Sequence, residues 1–171
     1  YGRRAMVSLV ATPVARMQIL RGKLIPYYFL GMFSMTICAL AGVFLFEVPL
    51  RGSVFALFVL SSTFLMPALG QGLLISILTK QQLLAAQTGL ITGFLPAVIL
   101  SGFIFDINSM PDALQYLTLA IPARHFNTAL QTVFLAGDIW PVFLPRMAFM
   151  LGLGAAFLVI TYRKLVKRLD V

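Results

Sequence analysis

Four stretches of this chain, 24–46, 53–78, 83–105 and 141–162, are each long enough to cross a bilayer and carry almost no charge. A hydrocarbon core about 30 Å thick takes roughly 20 apolar residues as helix. An open strand in lipid would leave its backbone unpaired. The expected fold is therefore an all-α membrane protein with four transmembrane helices. Composition agrees: 60% of the 171 residues are hydrophobic and 11% are charged, against roughly 45–50% and about 25% in a soluble domain. Too few polar side chains remain to cover a water-facing surface, which excludes a soluble enzyme, a disordered segment and a disulfide-stapled module. Cys38 is the one cysteine, so no internal disulfide can form. Pro67 and Pro96 fall inside the second and third runs, where each removes a backbone donor and is expected to kink its helix.

The net charge is +8, yet the basic residues crowd beside the apolar runs and the chain ends instead of forming a soluble basic face. The expected partner of this charge is the bilayer and not nucleic acid. With the N-terminal flank inside, ten of the thirteen Lys and Arg are cytoplasmic, leaving only Arg51, Arg124 and Arg146 outside, together with four of the five acids. Charge bias thus places both ends of the chain in the cytoplasm. The chain opens on Tyr1 and lacks the order of segments that a signal peptide needs, so it is read as part of a longer protein.

The connections are unequal. Residues 47–52 and 79–82 are tight turns, whereas 106–140 is long and too apolar for a solvated loop. Its Ser-Met-Pro-Asp run at 109–112 offers a cap for a helix burying Leu114, Leu117 and Ile121. After Pro122 a second helical pattern, 123–135, puts Phe126, Leu130, Val133 and Phe134 on one side and stops at Gly137. Two short re-entrant or interfacial helices in the outer leaflet fit this pattern. The expected organisation is a cytoplasmic flank (1–23), three transmembrane helices (24–105), the outer segment (106–140), and a last transmembrane helix with a basic tail (141–171).

Chemistry-bearing motifs are sparse. No GxxxxGK[ST] loop occurs, so this chain has no phosphate loop of its own for ATP. There is no HExxH, and His125 is the only histidine, which leaves a histidine metal site without a second ligand. No acid lies deep in a span to serve a proton relay. A Ser–His dyad on His125 lacks a strained GxSxG turn, and an interfacial, half-wet imidazole is the plainer reading. No catalytic, metal or cofactor residue is assigned.

Three other patterns carry more. Thr12 can cap a helix opened by Pro13, running through Arg16 and Arg21 to Gly22, with Lys23 just beyond. This short basic amphipathic helix is either a flank held on anionic lipid or a docking helix for a cytoplasmic partner. Small residues recur every fourth position at Ala85, Gly89, Gly93, Ala97 and Ser101. That row reads as a helix–helix seam, within the chain or between two copies. Among the few polar residues in the spans, Gln71 is the costliest to place against lipid; with Thr88 and Thr92 it makes either an interhelical hydrogen bond or part of a transport path.

Four stretches carry a family resemblance: ATPVARMQILRGKLIPYYFLG (11–31), LGQGLLIS (69–76), LPAVILSGFIFDINSMPDALQYLT (95–118) and IPARHFNTALQTVFLAGD (121–138). In order and spacing the chain resembles the C-terminal part of a bacterial ABC-type export permease of the type-two class, which includes multidrug-like exporters. The resemblance implies a six-span subunit whose last four spans are these, paired with a second permease subunit as a homodimer or heterodimer. The apolar bundle with its scattered hydroxyls and amides suits a hydrophobic or amphiphilic substrate. The resemblance implies a separate ATP-binding subunit that would use ATP and Mg at the bacterial inner membrane. It places the coupling element at Thr12, Pro13, Gly22 and Lys23, beside Arg16 and Arg21, and an outer gate at Ser101, Gly102, Met110, Pro111, Pro122 and Arg124. The family usually carries glutamates ahead of the TPV motif, where this chain has Arg3 and Arg4, and proline where Asp106 stands. The alternatives from other classes are a non-transporting membrane scaffold and an intramembrane enzyme built on His125.

Overall fold

The computed structural model describes residues 13–79 and 81–169. All regular structure among them is helical: α1 (Pro13–Phe44), α2 (Val54–Leu78), α3 (Gln82–Leu100), α4 (Asp112–Leu119), α5 (Pro122–Leu135) and α6 (Trp140–Leu169). Four apolar segments have the length to cross a membrane, Leu20–Phe44, Val54–Leu78, Gln82–Leu100 and Trp140–Lys164. The turn after α1 meets the last turn of α5 and the chain leading into α6 at one end of these helices, through Arg51, Gly52 and Ser53 on Phe134, Val133 and Asp138. That end is called the loop-rich end below.

The central pair is α2 and α6, and glycine sets how closely they approach. A Cβ on Gly154 would lie 2.9 Å from both Met66 Cβ and Pro67 N, and one on Gly70 would lie 2.9 Å from Phe157 Cβ. Backbones meet this closely in lipid only where side chains are missing. The polar groups buried here satisfy themselves locally: the hydroxyls of Ser61, Thr63 and Thr161 donate to the carbonyls of Leu57, Val59 and Phe157, one turn back. Outside the pair, α1 leans on α2 through Gly31 against Leu65 and a 2.7 Å hydrogen bond between the Tyr28 and Ser62 hydroxyls.

Helix α5 packs its small face into the groove between α2 and α6. Ala129 and Val133 share one cluster with Leu57, Leu60 and Phe143, with Phe126, Leu130 and Phe134 around it. Contacts run in register down α2: Gly52 N donates to Val133 O at 2.8 Å, and the rings of Phe64 and Phe126 stack at 4.5 Å. Arg51 N also donates to Phe134 O, so the turn before α2 fills acceptors that the end of α5 leaves open. Asp138 completes the joint by accepting from Ser53 N at 2.8 Å. Gly52 is required here, because a Cβ would fall 2.7 Å from Asp138 Oδ1 and 2.8 Å from Val133 O. Gly137 closes α5 at φ +97, with its N–H on Thr132 O.

Several expectations are corrected. The helix predicted to stop at Gly22 runs unbroken into the first span. Gly22 is not among the glycines with positive φ, so it does not act as a left-handed stop. The joint is instead marked by Pro26, which has no N–H to give the Gly22 carbonyl four residues back. Pro26 and Pro145 thus join Pro67 as prolines inside helices. The third span ends at Leu100, not 105, because Gly102 turns left-handed at φ +81. Ser109 caps nothing at its predicted place: α4 starts at Asp112 with Pro111 in the cap position and no side-chain cap bond. Leu114 and Leu117 are exposed, and Thr118 is the residue α4 buries. Ser53, read from sequence as the first residue of the second run, is instead the cap of α2, accepting from Ala56 N at 3.1 Å.

Candidate functional site

The third span is where the fold departs from a plain helix. Its middle, Leu90–Phe94, is a π turn, with Leu95 N–H reaching Leu90 O, and Pro96 follows at once. Proline has no N–H for the carbonyl four residues earlier, which is that of Thr92. Gln71 supplies the missing donor from α2, its Nε2 lying 3.1 Å from Thr92 O. The Thr92 hydroxyl is in turn satisfied by Thr88 O at 2.7 Å. Thus Gln71 repairs a broken backbone bond on its neighbour, and π turns of this kind recur at functional sites.

This node lines a cavity of roughly 550 Å³ between α2, α3, α6 and the α4–α5 corner. Gln71 and Thr92 are its polar members; Ile75, Pro96, Leu117 and Phe157 are typical of the rest. Gln71 therefore makes the interhelical hydrogen bond expected of it, and it also faces this cavity. The small-residue row points the same way, since Gly89, Gly93 and Ala97 line this cavity. It is not a tight seam within the chain, because a Cβ on Gly89 would meet nothing within 4 Å. Ala85 lies outside the cavity lining.

A second cavity, of roughly 600 Å³, opens at the loop-rich end and is far more polar. Arg124 builds its wall by tying α4 to α5: Nη1 donates to Gln115 O at 3.0 Å and to the Thr118 hydroxyl. Asn127 Nδ2 donates to Ser101 O at 3.2 Å and so holds the end of α3. His125 also lines this cavity, with Nε2 donating to Leu119 O at 2.8 Å and its ring 4.4 Å from that of Phe149. Among the described residues no three His, Cys, Asp or Glu side chains converge as a metal site.

The predicted gate and path residues thus divide between two places. Gln71, Thr92 and Pro122 line the apolar cavity, and Ser101, Gly102 and Arg124 line the polar one. Thr88, Met110 and Pro111 line neither. Of the coupling residues, Thr12 lies outside the described residues, while Pro13, Arg16, Arg21, Gly22 and Lys23 all lie on the first turns of α1. Arg146 was missed as a site residue: it lines the polar cavity, and its signal was a lone charge inside an apolar run. Asn127 and Gly154 were missed as well.

Residues 2–163 match the family described as ABC-2 family transporter protein. The chain belongs to that family. Among ABC-2 relatives, it is 47% identical over 168 residues to the Escherichia coli protein named "Probable multidrug ABC transporter permease YbhS", covering 98% of this chain and 45% of that one. The E. coli permease YbhR, similarly named, is 29% identical over 93% of this chain and 44% of its own length. "ABC transporter G family member 20" of Dictyostelium discoideum is 24% identical over 85% of this chain and 20% of its own. The chain spans less than half the length of these relatives. No solved structure matches it.

Proposed function

We propose that this chain is the membrane part of an ATP-driven exporter, moving a hydrophobic or amphiphilic substrate and driven by a separate ATP-binding subunit. The carrying observation is the ABC-2 match across residues 2–163, with relatives named as multidrug permeases. The absence of a phosphate loop from this sequence supports placing the nucleotide on a partner. The apolar cavity beside the π turn offers the path, with Gln71 and Thr92 as its polar contacts. The polar cavity around Ser101, Gly102 and Arg124 forms the outer gate. Positive charge bias puts both ends of the chain in the cytoplasm of a bacterial inner membrane.

In this reading the first turns of α1, from Pro13 to Lys23, receive the push of the ATP-binding subunit. Continuity of α1 favours this role, because one helix transmits a displacement without a loop to absorb it. Nucleotide must then favour one arrangement of the bundle by differential binding. The half-buried row Ala85, Gly89, Gly93 and Ala97, whose Gly89 has open space beside it, leaves room along α3 for a second permease subunit, whether identical or homologous, to approach.

Purification of the full-length protein with its cell's ATP-binding subunits tests the proposal. A stoichiometric ATPase should be recovered, and Arg16→Glu with Arg21→Glu should cut its substrate-stimulated rate by about fivefold or more. Unchanged stimulation would remove the coupling role. A stable protein with no ATPase partner would overturn the exporter reading and favour a scaffold.

A further inference from the structure

The polar cavity holds more positive charge than the fold neutralises. Arg124 from α5 and Arg146 from α6 both line it, and Asp106 is the one acid in the lining. Asp106 Oδ1 already accepts from Asn108 N at 3.1 Å. Among the described residues neither arginine forms an ion pair. Each uses a single nitrogen: Arg124 Nη1 on Gln115 O and the Thr118 hydroxyl, Arg146 Nη1 on Val142 O at 2.8 Å. A guanidinium carries five N–H donors in a flat fork suited to two oxygens of one acid. The Nε and Nη2 donors of both side chains therefore remain without a partner among the described residues. Both arginines are half-buried, and a cation withdrawn from water is costly until an anion meets it.

From this we infer that the cavity is a binding site for a phosphate or carboxylate group. Its volume, roughly 600 Å³, falls in the range of small-molecule sites, about 300–1,000 Å³. Leu119, Ile107 and Pro145 add an apolar side to the lining against which a short chain can rest. Gln131, exposed at the same lining, adds an amide donor. The acid has two possible sources, an amphiphile headgroup or a free oxyanion, and one experiment separates them. The inference deepens the proposed outer gate, but binding is read without nucleotide or transport, so a failed export assay and a failed binding assay are separate results.

Full-length protein in phosphatidylcholine nanodiscs is dialysed to equilibrium against radiolabelled hexyl phosphate and, separately, inorganic phosphate, with empty nanodiscs as blank. Saturable binding to the wild type is expected. Arg146→Gln should weaken it by about tenfold to a hundredfold, the usual effect of losing a charged hydrogen-bonding partner. Arg146→Lys should fall between, since an ammonium cannot reproduce the fork. Arg146 is the better probe because its bond to Val142 O lies within its own helix, whereas Arg124 holds α4 to α5. Tighter binding of hexyl phosphate supports the site and names an amphiphile; equal binding of both probes supports it and names the oxyanion. The inference is overturned if neither probe binds above the blank. It is equally overturned if Arg146→Gln binds like the wild type, or if hexyltrimethylammonium binds as well as hexyl phosphate.

Discussion

At the scale of single residues, the bond from Gln71 to Thr92 O decides how a proline can sit in the middle of a membrane span. Pro96 leaves the Thr92 carbonyl without its helical donor, and lipid has no water to offer in exchange. Gln71→Leu should therefore strand that carbonyl, at a cost of about 1–3 kcal/mol, seen as a lower unfolding midpoint in detergent. The control is Pro96→Ala, which returns an N–H to α3. In that background the loss from Gln71→Leu should shrink to a fraction of its value. Equal losses in the two backgrounds would mean that Gln71 does not serve the carbonyl at all. The sequence made Gln71 legible as a group that must avoid lipid, since cost alone identifies it. Its partner was not legible, because a missing N–H on one helix and a spare amide on another are joined only by packing.

At the scale of elements, the four membrane helices and α5 followed from apolar run length and from helical spacing between Pro122 and Gly137. Their ends were less legible, because ends depend on distant groups. The end of α3 is held by Asn127 from α5, and the turn before α2 is held by Asp138 and the carbonyls of Val133 and Phe134. The row of small residues was legible and drew attention to α3, yet the tight seam lies elsewhere, at Gly70 and Gly154. Spacing marks where a helix could approach and leaves open whether one does. The seam makes a sharp comparison possible. Gly154→Ala sets a methyl group against the backbone of Met66 and Pro67, so α2 and α6 must part, and destabilisation of about 1–3 kcal/mol is expected. Gly152→Ala, two residues away with nothing within 4 Å of its Cβ, should be neutral or raise stability by up to about 1 kcal/mol through helix propensity. Thermal unfolding of the two variants side by side measures the difference. Similar midpoints would show that α6 does not pack on α2 through Gly154.

At the scale of the whole molecule, the question is how the α4–α5 hairpin sits relative to the bilayer that α1, α2, α3 and α6 are built to cross. If α5 lay flat at the surface, its two ends would stand at one depth. The contacts argue otherwise: Val133 meets the chain at Gly52, before α2 begins, and Phe126 meets Phe64, well inside it. The α4–α5 corner goes further, lining a cavity together with Gln71 and Phe157. A helix of 14 residues is about 21 Å long at 1.5 Å per residue, comparable with the outer half of a membrane and its headgroups. These contacts support the proposal that the hairpin is re-entrant, and they predict a depth gradient along it. Nitroxide labels at Leu117→Cys and Leu135→Cys, both exposed positions, would be placed in full-length protein whose other cysteines, Cys38 included, are serine. Relative accessibility to oxygen and to a polar nickel chelate then reports depth. Leu117→Cys should read on the order of 10 Å deeper than Leu135→Cys. Matching depths would lay the hairpin on the surface, and would also take the apolar cavity out of the membrane, leaving the proposed path without a wall on that side.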